Sequence, residues 1–290
     1  GIGQVVLTLG DGESMPLKRD TNRLIFGGTM LQVRNERGTL VYSKIKSKEA
    51  SEKIVYNTLT VPVRERFQLV LADGTKVFLN SGSEMRYPER FGKARREVFL
   101  KGEAWFEVAK DSAREFWVHA GAMDVKVLGT SFNVKAYERL ETVATTLVEG
   151  SVEVACAGKS FQIVPGEQFV YDKNNRVMDV RMVDTESYVS WKDGYYKFRQ
   201  TTLEEIMETL SVWYGLNVFY VNESAKQVEF TGKVRRYEDA RMLLDKFEQT
   251  GDVVFDIKGN NVFITIKQKK PFAREWNSFL VKARGMVWQS

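Results

Sequence analysis

The sequence predicts a mainly β protein, an all-β multi-strand domain followed by a small α+β domain. Three observations carry the prediction. From residue 1 to about 186, short runs of Val, Leu, Phe and Tyr alternate with polar residues, and Gly, Asp or Asn punctuates them. No segment of that stretch sustains a helical period. From about Tyr188 onward, two helical periods appear between strand-like runs.

The first element is a hairpin. Leu7-Thr-Leu-Gly-Asp-Gly-Glu-Ser-Met-Pro-Leu17 lines up with Leu69-Val-Leu-Ala-Asp-Gly-Thr-Lys-Val-Phe-Leu79. A two-residue Asp-Gly loop would set Leu71 opposite Lys76 and mix the faces. A three-residue loop Ala72-Asp73-Gly74, with Gly74 in the left-handed region, pairs Leu71 with Thr75, Leu69 with Val77 and Phe67 with Leu79. One face is then apolar, as a half-buried hairpin needs. The same loop in the first copy pairs Leu7 with Met15 and Val5 with Leu17. We read the repeat as one hairpin used twice rather than as a solenoid. Between the copies, residues 44–53 are charged and poor in apolar side chains, which reads as a loop or linker. Strand patterns then recur at Arg96–Leu100, Glu115–Val118, Asp124–Val127, Val152–Val154 and Phe161–Ile163.

Tyr195–Phe198 opens the second domain as a strand. Thr201-Thr-Leu-Glu204 has a capping-box pattern. It starts a helix with apolar residues at Leu203, Ile206, Met207, Leu210, Trp213 and Tyr214, and Gly215 is its stop. Leu216–Val221 and Gln227–Val234 read as strands. A second helix places Ala240, Leu243, Leu244 and Phe247 on one face and ends at Gly251. The hairpin Val253–Ile257 with Val262–Ile266 completes the order β-α-β-β-α-β-β, with both helices on the same sheet face. The expected organisation is an N-terminal β segment over 1–60, a main β domain over 61–186, the α+β domain over 187–267 and a tail over 268–290. Spacing across Trp276, Phe279 and Leu280 suits one short helix in that tail.

Composition narrows the chemistry. The 290 residues include one His and one Cys, too few for a zinc site of the usual N/S ligands or for an intrachain disulfide. A Ser-His-Asp or Cys-His site would need His119. Lys and Arg number 43 against 38 Asp and Glu, and the net charge of +5 does not demand nucleic acid. No apolar run reaches the roughly 18 residues of a membrane helix. The chain begins Gly1-Ile-Gly3 without Met, which reads as a segment of a longer protein.

Six ordered motifs together resemble a known family. Residues 69–110, with Leu69-Val-Leu-Ala-Asp-Gly-Thr-Lys-Val-Phe-Leu-Asn-Ser-Gly-Ser83 and Val98-Phe-Leu-Lys-Gly-Glu-Ala-Trp-Phe-Glu-Val-Ala-Lys110, look like the periplasmic domain of FecR-type anti-sigma factors. So do Val127-Leu-Gly-Thr-Ser-Phe-Asn-Val134, Thr146-Leu-Val-Glu-Gly-Ser-Val152 and Pro165-Gly-Glu-Gln168. Ser190-Trp-Lys-Asp-Gly194, Leu203-Glu-Glu-Ile206, Trp213-Tyr214 and Phe230-Thr-Gly232 resemble the C-terminal domain of Bacteroidetes members. The resemblance implies the periplasmic domain of a single-pass inner-membrane regulator, whose cytoplasmic domain and membrane helix would precede this segment. The implied partners are the signalling domain of a TonB-dependent outer-membrane transporter and an extracytoplasmic-function sigma factor. It implies no cofactor, metal, nucleic acid or enzymatic turnover. The alternative is a carbohydrate-binding β protein of the bacterial envelope.

Two sets of site residues follow. Some similar proteins self-cleave between Gly and Thr at the motif holding Gly129-Thr130. There Thr130 Oγ would attack the Gly129 carbonyl in an N→O acyl shift that breaks the peptide C–N bond and frees the Thr130 amine, and water would hydrolyse the resulting ester; glycine tolerates the strain that aids the attack. The plain alternative is a turn at a strand end. For partner binding, an open strand edge in the second domain would accept a strand. The candidates are Leu216, Val218 and Tyr220 on one strand, and Val228, Phe230, Thr231 and Gly232 on another. His119 reads as structural or surface, and Cys156 as a buried small hydrophobe. Trp105, Trp117 and Trp213 read as core. Arg86, Arg90, Lys93, Arg95 and Arg96, interleaved with Glu84, Glu89 and Glu97, read as a solvated face.

Overall fold

The computed structural model describes residues 3–18, 23–27, 31–36, 39–44, 54–236 and 239–267. The tail helix expected around Trp276, and most of the loop expected over 44–53, lie outside the described residues.

The N-terminal part holds β1 (Val5–Thr8), β2 (Ser14–Leu17), β3 (Arg23–Gly27), β4 (Leu31–Glu36), β5 (Thr39–Lys44) and β6 (Tyr56–Val61). Next come β7 (Phe67–Val70), β8 (Lys76–Leu79), β9 (Ser83–Pro88) and β10 (Arg96–Glu107). The series continues with β11 (Phe116–Ala120), β12 (Met123–Val127), β13 (Ser131–Ala136) and β14 (Thr142–Glu149). It ends with β15 (Val152–Cys156), β16 (Lys159–Ile163), β17 (Glu167–Asp172) and β18 (Val177–Met182).

These strands form two sheets that share β10. The first runs β2-β1-β6-β9-β10-β11-β12-β15-β16. The second runs β3-β4-β5-β7-β8-β10-β13-β14-β17-β18. Past β10 the hairpins alternate: β11-β12 in the first sheet, β13-β14 in the second, β15-β16 in the first, β17-β18 in the second. Inward side chains of both sheets meet in one core that includes Leu7, Leu59, Leu69, Val98, Phe106, Val118, Phe132 and Val154. The alternation of buried and exposed positions along each strand is the period-two signal seen in the sequence.

Both hairpins fold in the expected register. Val5 faces Leu17 and Leu7 faces Met15, while Phe67 faces Leu79 and Leu69 faces Val77. Leu71 N donates to Thr75 O at 2.9 Å, and Gly74 has φ +89°. Gly12 takes the same role at φ +93°.

The run Arg96–Leu100 proved to be half of a longer strand. Residues 96–101 pair with β9 and β11, and residues 102–107 pair with β8 and β13. Gly102 makes the crossing at φ +104°, and a Cβ there would sit 2.7 Å from Ser83 Cα. Only glycine fits such an approach without displacing the neighbour.

The C-terminal part comprises α1 (Glu186–Val189), a 3-10 turn (Ser190–Asp193), β19 (Tyr195–Thr202), α2 (Leu203–Tyr214) and β20 (Asn217–Tyr220). A second 3-10 turn (Glu223–Gln227), β21 (Glu229–Arg235), α3 (Ala240–Thr250), β22 (Val253–Lys258) and β23 (Asn261–Ile266) follow. The order β-α-β-β-α-β-β is as the sequence reads. The single sheet is not: β19 pairs with β21, while β20-β23-β22 form a separate sheet. The reason is that β20 runs parallel to β23, not beside β21. The helices and both small sheets share one core, where Phe247 meets Phe198 and Phe230 at ring distances of 5.3 and 4.9 Å. The α2 cap also lies one residue later than expected: Thr202 Oγ1, not Thr201, accepts from Glu205 N. Gly215 ends the helix at φ +68°.

Two readings of single residues change. Arg96 is fully buried, not part of a solvated face. Its inward position beside Val98 and Leu100 carries the guanidinium into the core, where Asp73 meets it at 2.8 Å and Ala109 and Arg114 carbonyls accept from it. Trp117 lies on the outer face of the first sheet, opposite Lys126, not in the core. His119 is a surface residue held by Asp124 at 2.7 Å and Glu97 at 3.3 Å. Cys156 is buried as expected, and burial pushes its thiol above the ordinary range.

Candidate functional site

The outer face of the second sheet is where the two parts of the molecule meet. On β10 the inward Ala104 and Phe106 belong to the β core, and the outward Glu103 and Trp105 are buried all the same. The C-terminal part covers them. Trp105, Tyr137 and Leu140 pack into the same cluster as Trp191, Tyr196, Met207, Leu210 and Trp213.

Glu103 sits at the centre of a polar network in that interface and is 3% exposed. Its carboxyl accepts from Asn80 Nδ2 at 2.7 Å, Asn133 Nδ2 at 3.0 Å and Trp213 Nε1 at 3.2 Å. Asn133 Oδ1 in turn accepts from Trp191 Nε1 at 3.1 Å. Arg236, which directly follows β21, donates to Asn80 Oδ1 at 2.8 Å and to Ser81 Oγ. Its guanidinium lies over the Trp213 ring at 5.2 Å, and Tyr196 stacks on the same ring at 4.3 Å. Burial pushes the Tyr196 phenol well above its ordinary range. From the other side, Arg66 donates to the carbonyls of Trp191 and Lys192 at 3.0 and 2.9 Å, and Arg64 N donates to Trp213 O. Buried polar groups paired across the interface in this way hold two bodies in one relative placement.

Beyond this lock, the C-terminal part presents open strand edges. Among the described residues β20 pairs only with β23, and β21 only with β19. The expected partner-binding residues therefore fall on two separate sheets. Val218 and Tyr220 face inward against the helices, and the exposed Phe219 between them stacks on Phe263 at 5.1 Å. Leu216 is buried at the end of α2, ahead of the strand. On β21, Phe230 is buried, Thr231 Oγ1 accepts from Gln200 N at 2.9 Å, and Gly232 is exposed with nothing near its Cβ direction. Val228 precedes the strand and is half-buried. Near β21, Lys197 and Lys233 hydrogen-bond Glu186 and hold its carboxyl down at about 2.

Gly129-Thr130 lies apart from both edges, between β12 and β13. Thr130 is buried, its Oγ1 donates to Ser151 O at 3.0 Å, and its carbonyl accepts from Val108 N. Gly129 is not left-handed. Its glycine is required by Lys110, whose Cα would lie 2.9 Å from a Cβ. Of the three tryptophans read as core, Trp105 and Trp213 are buried in the interface. The third, Trp117, has Lys126 over its ring at 5.6 Å. Among the described residues no cluster of His, Cys, Asp and Glu could hold a metal ion, and no helix is long and apolar enough to cross a membrane.

The sequence did not single out Glu103, Asn80 or Arg236. The one available signal was a lone acid in Ala104-Trp-Phe106's apolar run, and it points outward, where acids are ordinarily solvated.

The family model described as FecR protein matches residues 57–153, and that described as FecR, C-terminal, matches residues 195–264. Two crystal structures of a candidate anti-sigma factor from Parabacteroides distasonis ATCC 8503, at 1.65 and 2.50 Å resolution, are similar to this chain. Each is 27% identical with a TM-score of 0.66, over 73% of this chain and 99% or 100% of its own length. No curated protein matches.

Proposed function

The chain belongs to the FecR family of anti-sigma factors, which act as sensors that regulate a sigma factor, and from that premise we propose that it is the periplasmic receiver of one such regulator. In this reading the signalling domain of a TonB-dependent outer-membrane transporter docks on the C-terminal part. The β part relays the event towards an inner-membrane helix, and a cytoplasmic domain releases an extracytoplasmic-function sigma factor.

One observation carries the reading: the C-terminal part keeps open edges at β20 and β21 while a buried network fixes it to the β part. An open edge offers unpaired N–H and C=O groups to an incoming strand, and Phe219 beside it offers an apolar anchor. Substitutions that leave the fold alone test the docking. Gly232→Arg has free space for its side chain and blocks the β21 edge, whereas Phe219→Asp spoils the face beside β20. Titration of the transporter's signalling domain should show one of them weakening binding about tenfold or more. Unchanged affinity in both would remove strand addition at these edges.

Self-cleavage at Gly129-Thr130 belongs to the same proposal as an optional processing step. The acyl shift requires Thr130 Oγ to leave Ser151 O and turn on the Gly129 carbonyl. Intact-mass measurement of freshly purified protein should then give two fragments joined by the β pairings. A single full-length mass rules the step out for this chain.

A further inference from the structure

The sheet β20-β23-β22 is covered on one face by the helices, against which Val253, Phe255, Val262 and Ile264 are buried. On the other face the outward residues of the same strands form an apolar patch. Phe219, 48% exposed, stacks on Phe263 at 5.1 Å. Val254 stands opposite Thr265 and diagonal to Phe263. Val221, 63% exposed, extends β20 along the other side of β23, and its N–H donates to Ile264 O at 2.9 Å. Asp256 and Lys258, the remaining outward residues of β22, pair with each other at 3.0 Å. Exposed apolar residues gathered in one patch, unlike single scattered ones, mark a surface that something covers.

The chain leaves the described residues beside this patch. Lys267 directly follows β23; its N–H donates to Asp252 O at 2.8 Å and its ammonium to Gly251 O at 2.7 Å. Residues 268–290 lie outside the described residues, and their sequence carries a helical stripe. Phe272, Trp276, Phe279, Leu280 and Ala283 recur at i, i+4, i+7, i+8 and i+11. Arg274, Asn277, Ser278 and Lys282 fall on the opposite side, where Val281 is the one large apolar residue. Pro271 suits a first helical turn and Gly285 a stop, and Lys282 and Arg284 suit the carbonyl end of the dipole.

We propose that residues 271–284 form an amphipathic helix that docks its Phe272, Trp276 and Leu280 side on the outer face of β20-β23-β22. The three residues 268–270 make a strand-to-helix connection of ordinary length. Size agrees as well. The helix would be roughly 21 Å long, and the six-residue strands β22 and β23 are each roughly 20 Å. The inner face of the sheet is already taken, so the outer face is the one such a helix can cover. A segment on so short a tether has an effective concentration in the millimolar range, which favours it over a second copy of the chain. The inference stands apart from the transporter reading and adds a condition to it. A docked helix covers Phe219, so a partner that uses this anchor must first displace the helix.

Thiol labelling of the protein alone tests the docking. Cys156, the sole native cysteine, is buried. A Val221→Cys variant therefore offers one accessible thiol in the patch, and Val177→Cys, exposed on β18, is the control. In the whole chain Val221→Cys should react with a maleimide about tenfold more slowly, or slower still, than after truncation behind Lys267. The control should react equally in both. Trp276→Asp/Leu280→Asp in the whole chain should remove the protection, and Asn277→Asp/Ser278→Asp, on the opposite side, should leave it. Equal rates in whole and truncated chain overturn the proposal, as does protection that survives Trp276→Asp/Leu280→Asp. Protection that rises with protein concentration would put a second copy on the patch and overturn it too. Should the truncated chain lose its native circular dichroism, the two pairs of tail substitutions decide alone.

Discussion

At the scale of single residues, the interface depends on a carboxyl that accepts hydrogen bonds from three segments while almost fully buried. Glu103→Ala strands the Asn80, Asn133 and Trp213 donors, and each buried donor left unpaired costs about 1–3 kcal/mol. We expect a total loss near 3 kcal/mol or more, read as a lower urea midpoint at unchanged slope. A loss under about 1 kcal/mol would mean that the donors find other partners. The sequence could not announce this residue. Alternation along β10 sends Glu103 outward, and only a part of the chain more than 80 residues later covers it. Arg96 is the converse. Its inward phase beside Val98 was visible, but a charge in a basic cluster argues for solvent unless Asp73 is known to wait inside. Trp117 fails for the same reason in reverse: its period-two position was clear, and which face is inward was not.

At the scale of elements, local chemistry was legible and long-range partnership was not. The Asp-Gly loops, the α2 stripe and the Gly215 stop follow from residues a few positions apart, and they fold as read. The extent of β10 does not. Lys101-Gly102 looks like the end of a strand, yet the glycine is where the chain passes from one sheet to the other. Gly102→Ala should therefore cost clearly more than Gly74→Ala. Both need a left-handed backbone, a penalty of roughly 1–2 kcal/mol for a residue with a Cβ. Only at Gly102 does the new methyl also strike Ser83. Urea unfolding of the two variants checks the order, and equal losses would show that the crossing relaxes freely. The two small sheets of the C-terminal part were likewise hidden, because β20 pairs in parallel with a strand far along the chain, Asn217 opposite Asn261.

At the scale of the whole molecule, two sheets that share β10 and one core provide the scaffold, and the C-terminal part is pinned on the outer face of the second sheet. The family resemblance was legible because its motifs mark turns and the crossing strand, where geometry restricts the choice of residue. The candidate edges were legible as strands, but their openness is a property of the assembled sheets. One consequence concerns mechanical load. Anything that tugs on the C-terminal part transmits force through Glu103 and Trp105 into β10, which is bonded to β8, β9, β11 and β13. That share of the pull enters at the strand with the most neighbours, while the covalent link enters at β18, which among the described residues pairs only with β17. The bonds on both sides of β10 then carry the load together, whereas an edge strand would peel away one bond at a time.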